Sequence, residues 1–160
     1  MHPSRVVAGT VAAILLLTIA TGPLGLYDVP ESRATDSLGE GNASITVVSV
    51  PETIPLEKGR YGNDEYHLRV PDAVITIDNL TGNPILNYNL DIAAMGTSKS
   101  SVHFLGQAGE GRYRLTFADS AMAASEVNQQ SYQARLEIVV RTNGTERVVY
   151  DQPATVEVQE

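Results

Sequence analysis

Three short stretches of this chain could take a sugar: Asn42-Ala43-Ser44, Asn79-Leu80-Thr81 and Asn143-Gly144-Thr145. In such a sequon the asparagine side-chain amide is the acceptor, and the glycan needs an exposed position on the exported side of a membrane. Asn42 stands at the end of a stretch rich in Pro, Gly and Ser. Asn79 borders a turn that ends at Pro84, and Asn143 opens an Asn-Gly pair. Asn143 has a second explanation, because Asn-Gly supplies the positive backbone angles of a tight hairpin turn with or without a sugar.

Other chemistry-bearing residues do not converge. His67 alternates with Tyr66 and Leu68, and His103 lies between Val102 and Phe104, so both histidines are expected to face outward on strands. A metal site needs several ligands in one place, and no metal is expected here. Asn63-Asp64-Glu65 with Asp72 could offer oxygen ligands to calcium, but the spacing matches no EF-hand, and a solvated acidic loop accounts for it. Ser98, Ser100 and Ser101 precede His103, yet no acid is spaced to orient that histidine as the base of a nucleophilic serine. Paired carboxylates for sugar hydrolysis want aromatic platforms beside them. The chain has no tryptophan, and its tyrosines fall mostly on inward positions. Gly106 to Gly111 joins two expected strands rather than opening a helix, so it is no phosphate loop. The expectation is a non-enzymatic chain without a cofactor.

The elements that position these residues begin with an address. Met1 to Arg5 is weakly basic. Val6 to Ala20 follows without a charge, and the uncharged run continues to Leu26. A signal peptide has an apolar core of about 7–15 residues, and a spanning helix needs about 20. Residues 6–26 are long enough to span, with Tyr27 at the interface, so residues 1–27 read as a retained signal-anchor. A cleaved signal remains the alternative, with Thr18-Ile19-Ala20 offering small residues for a cut after Ala20. Arg5 precedes the apolar run, and the next positive charge is Arg33, which puts the amino terminus inside and the rest outside. There is no cysteine, so a lipid on a cleavage-site cysteine is excluded, and so is a disulfide staple.

The 160 residues carry a formal charge of −8, from 19 acidic and 11 basic side chains. Such a surface repels phosphates and anionic lipid, so nucleic acid is not an expected partner. Only Lys58 and Lys99 are lysines; the other basic residues are arginines. Residues 28–41 (DVPESRATDSLGEG) read as an acidic flexible stalk. Residues 42–160 then have the size of one domain.

Within that domain the pattern has period two, the mark of half-buried strands. Strands are expected over Ser44–Val50, Glu65–Val70, Ala73–Asn79, Ile85–Ile92, Val102–Leu105, Arg112–Ala118, Tyr132–Arg141, Val148–Tyr150 and Thr155–Val158. Pro51–Asn63 and Gly96–Ser101 read as loops, Gly106–Gly111 as a hairpin connection, and Asp119–Ser131 as a break holding one short helical turn around Ala121–Val127. The expectation is an all-β antiparallel sandwich of about 7–9 strands.

The end of the chain is specific. A long loop leads into Tyr132-Gln133-Ala134, a long alternating strand, an Asn-Gly hairpin and a last strand interrupted by Pro153. This resembles the final hairpin of immunoglobulin-like domains, where a tyrosine hydrogen-bonds back across the corner. Ala134 stands where antibody domains have a cysteine, so the resemblance is to the architecture. With the acidic surplus, scarce lysine and missing cysteine, the chain is similar to small exported or membrane-anchored immunoglobulin-like proteins of halophilic archaea. That resemblance implies an acidic surface that stays hydrated in strong salt, and no activity. It implies a structural or adhesive role against another envelope or surface-layer protein. A subunit of a surface filament or motor stator is one alternative; a secreted solute- or carbohydrate-binding module is another.

Overall fold

The computed structural model describes residues 37–60 and 64–159. Among them are ten strands: β1 (Gly41–Ser49), β2 (Thr53–Lys58), β3 (Glu65–Leu68), β4 (Ala73–Gly82), β5 (Ile85–Ile92), β6 (Thr97–Phe104), β7 (Gly111–Leu115), β8 (Ser120–Ala123), β9 (Ser131–Thr142) and β10 (Thr145–Gln159). They form a three-stranded sheet, β1-β4-β7, and a seven-stranded sheet, β6-β5-β9-β10-β2-β3-β8. Neighbouring strands are antiparallel except β2 and β10, which run parallel. The fold is all-β, with one core shared by both sheets.

Alternation explains the strands. On β5, Leu86, Tyr88, Leu90 and Ile92 are buried; on β9, Tyr132, Ala134, Leu136, Ile138 and Val140 are. The smaller sheet contributes Ala73, Ile75, Ile77 and Leu115. Burying each large aliphatic side chain is worth about 1.5–3 kcal/mol. A one-residue slip would turn a whole strand's set to solvent, so the register is held firmly. Asn143 (φ 50°) and Gly144 (φ 74°) both have positive φ, as a two-residue type I′ turn requires.

The two last expected strands are one. β10 runs continuously, with an irregularity in its pairing to β9 between Val148 and Tyr150. Pro153 lies opposite Arg135, in a stretch where β2 has not yet joined; that pairing starts at Thr155. The missing N–H therefore falls on a free edge.

Four expectations are corrected. Pro51–Asn63 is not all loop, because β2 occupies Thr53–Lys58 with Ile54 and Leu56 buried. Pro55 is tolerated there because its carbonyl accepts from Arg69 N, so the residue faces the β3 side, where the ladder begins only at Leu56. Gly96–Ser101 is not a loop, since Thr97 onward belongs to β6. Gly106–Gly111 is no hairpin: a helical turn, Leu105–Ala108, buries Leu105 and carries the chain to β7 in the other sheet. Asp119–Ser131 holds β8 as well as a short helical turn, Ala124–Glu126. Among the described residues the count is accordingly ten rather than 7–9.

The expected anchor, residues 6–26, lies outside the described residues. Among those described, no helix is long and apolar enough to cross a membrane.

Candidate functional site

The three sequons lie apart in sequence and meet at one end of the domain. β1 and β4 pair Gly41 with Gly82, Asn42 with Thr81 and Ser44 with Asp78. Ala43 thus faces two residues, Asn79 and Leu80, and the extra residue makes a bulge. Asn79 takes a positive φ of 52° there, which asparagine tolerates better than most side chains. The first two sequons therefore run antiparallel across one ladder, each beside the other's hydroxyl. Asn42 N donates to Thr81 Oγ1 (3.1 Å), and Asn79 Nδ2 donates to Ser44 Oγ (3.5 Å). Leu80 N donates to Glu110 Oε1 (2.9 Å), which ties the bulge to the turn before β7.

The third sequon reaches the same place from the larger sheet. Asn143, at the β9–β10 tip, donates its N–H to Gly39 O (2.7 Å) and accepts from Gly41 N through Oδ1 (3.0 Å). Gly39 N donates to Asn83 O and Asn83 N to Glu40 O, both at 2.8 Å. Residues 37–41, stalk-like in composition, are stitched to both sheets by these bonds. Asn42, Asn79 and Asn143 are all exposed.

A second cluster forms around His103, which the strand pattern turns outward and the structure turns inward. It is buried, 8% exposed, and is the one buried polar residue among the described residues; Val102 and Phe104 are the exposed neighbours. The reason is non-local. His103 lies opposite Leu86, and Leu86 belongs to the inward face of β5, so β6 inherits that parity. Ser101 lies on the same face of β6. Its Oγ is 3.1 Å from His103 Nε2, and Tyr113 Oη on β7 is 3.4 Å from Nδ1, with the two rings edge to face. A serine hydroxyl on an imidazole is the start of a nucleophile–base pair. The third position here is a neutral phenol, which cannot stabilise an imidazolium as a carboxylate does. Burial also pushes the His103 pKa down. Both effects oppose proton uptake, and the cluster fits a polar tie between the edge strands β6 and β7.

His67 is half-buried on β3, five strands from β6 in the same sheet, or about 24 Å at the usual strand spacing. A metal shared by the two histidines would have to bridge that separation. Among the described residues no group of three or more His, Asp or Glu side chains is placed to hold one. Asp72 lies 3.6 Å from Arg114, while Asn63 is outside the described residues. An open cleft of about 650 Å³ is lined by Tyr66, Val127, Asn128, Gln130, Glu157 and Val158, beside the Tyr132 corner.

That corner is well made. Tyr132 Oη accepts from the backbone N–H groups of Asn128 (2.7 Å) and Gln129 (3.0 Å), and it donates to Asn128 Oδ1 (3.3 Å). The tyrosine thereby closes the loop that leads into β9.

No protein-family model matches the chain, and no curated protein matches it either.

Proposed function

We propose that this chain is an outward-facing, non-enzymatic interaction module of the cell envelope, held to the membrane by residues 6–26 and built on an immunoglobulin-like domain. The uncharged run from Val6 to Leu26, with Arg5 before it and an all-β domain after it, carries the proposal.

Several observations support the finer fold. In immunoglobulin-like domains one sheet holds strands C, F and G, and the other holds A, B and E. β5, β9 and β10 correspond to C, F and G, with β6 as the extra strand beside C. β1, β4 and β7 correspond to A, B and E. Tyr132 opens the F-like strand and makes the corner bonds. β2, β3 and β8 extend the larger sheet beyond that plan.

The interaction role draws support from the outer face of β6. Val102 is 52% and Phe104 38% exposed on this edge strand. The Val102 row continues through Asn87 and Val139 to Val148, itself 53% exposed. Apolar side chains beside a free edge are what a partner chain covers. Another envelope or surface-layer protein is the proposed partner. The acidic, lysine-poor composition supports a high-salt setting.

Intact mass of the native protein from membrane and medium fractions tests the proposal. A full-length chain in the membrane is expected. A chain beginning near Thr21, found in the medium, would overturn the anchor and bring a secreted solute- or carbohydrate-binding module forward.

A further inference from the structure

The convergence of the sequons has an order built into it. We propose that Asn42, Asn79 and Asn143 carry a single glycan collar around the end where residue 37 enters the domain, and that the sugars are attached before the strands close. The proposal rests on the outward-facing reading, because transfer takes place on the exported side.

The chemistry needs a lipid-linked oligosaccharide as donor. The asparagine Nδ2 attacks C1 of the first sugar. A C1–N bond forms, the C1–O bond to the lipid phosphate breaks, and one amide proton leaves with the phosphate. Each modified amide keeps one N–H and its carbonyl.

The folded domain suits the product. Asn143 uses only Oδ1 toward Gly41, so its Nδ2 is free for a sugar. Asn79 needs one N–H to reach Ser44 Oγ, and a glycosylated amide still has one. All three side chains are exposed.

The same domain does not suit the reaction. A transferase must grip the sequon's backbone and its hydroxyl. The Asn42–Ser44 backbone lies in the β1–β4 ladder with the Asn79 bulge opposite, and Thr145 is paired with Thr142. Thr81 Oγ1 is held by Asn42 N, and Ser44 Oγ by Asn79 Nδ2. Because the first two sequons clasp each other, β1–β4 pairing withdraws both at once.

Glycopeptide mass spectrometry of the full chain from its native envelope reads the collar. Sugar on all three asparagines is expected. Ser44→Ala, Thr81→Val and Thr145→Ala should each remove one increment and leave the circular-dichroism spectrum unchanged. These variants spare the asparagines, so the Asn79 and Asn143 backbone geometry is kept. The order is read by giving a purified transferase and a polyprenyl-diphosphate-linked oligosaccharide either folded, sugar-free full chain or short peptides spanning each sequon. The peptides should be modified at least tenfold faster than the folded chain at every site. Equal rates would overturn the order. Bare asparagines on a chain that external protease can reach would overturn the collar while leaving the outward-facing reading intact. A chain that external protease cannot reach would overturn both.

Discussion

Two tyrosine hydroxyls in this domain have opposite consequences. Tyr132 Oη holds two backbone N–H groups, while Tyr88, whose ring packs on Phe117, buries its Oη with no hydrogen-bond partner among the described residues. Burial, with Tyr150 and Asp72 nearby, pushes the Tyr88 phenol upward, so it stays neutral. Tyr132→Phe removes the acceptor of two N–H groups on exposed loop residues and should cost about 1–2 kcal/mol in urea denaturation. Tyr88→Phe removes an unsatisfied hydroxyl and should be neutral or stabilise by up to about 1 kcal/mol. A destabilised Tyr88→Phe would show that its hydroxyl has a partner after all. His103 gives a pH dependence. Burial holds its folded pKa below the unfolded value of 6.5, so the unfolded chain takes the proton first as pH falls. This stabilisation is fully present above the unfolded value and is lost as pH falls through it toward the folded one. Between about pH 7.5 and pH 5.5, wild type should lose stability more steeply than His103→Gln. Parallel curves would sink the assignment.

At the scale of elements, two glycines separate backbone strain from steric closure. Gly41 (φ 108°) opens β1, and a Cβ there would lie 1.9 Å from Thr81 O. Gly96 (φ 60°) ends the helical turn Ala93–Met95, and a Cβ there meets nothing within 4 Å. Gly96→Ala should therefore cost only about 1 kcal/mol, the strain of its backbone. Gly41→Ala adds a clash that pushes β1 from β4 and should cost about 3 kcal/mol or more. Urea midpoints of the two variants compare them directly; equal losses would mean that β1 can shift without cost. Loosening this ladder would also release the hydrogen bonds that join the first two sequons.

For the whole molecule the governing quantity is the charge of −8. Ion pairs such as Arg141–Glu146 and Arg69–Glu57 are exposed and worth about 0–1 kcal/mol each. Arg135 holds the Asp151 carboxyl below its usual range through a two-pronged contact, yet that pair is also on the surface. Raising salt from about 0.1 M to 1 M shortens the Debye length from about 10 Å to about 3 Å. Net repulsion and pair attraction are both screened, and with this acidic surplus the repulsion outweighs the attraction. The urea midpoint should rise with KCl over that range. A falling midpoint would mean that the ion pairs are the stronger of the two.

Much of this domain is local and is legible in the chain. Side chains alternate along a strand whatever the partner, so β5 and β9 announce their inward sets, and Asn143-Gly144 announces its turn by the backbone angles it permits. The Tyr132 corner is legible as a resemblance because loop, tyrosine and strand are contiguous. What pairing decides is not legible. β2 hides behind Pro51, Pro55 and Gly59, since whether a proline breaks a strand depends on which edge is free. The local pattern turns His103 the wrong way because Val102 and Phe104 look like core, while its direction is set by Leu86 across the ladder. The meeting of Asn42, Asn79 and Asn143 is equally invisible. Sequence determined three separate sequons, and only the closing of β1 on β4, with the β9–β10 tip laid against Gly39 and Gly41, made them one place. Residues far apart in the chain become neighbours through non-local hydrogen bonds, which no local pattern encodes.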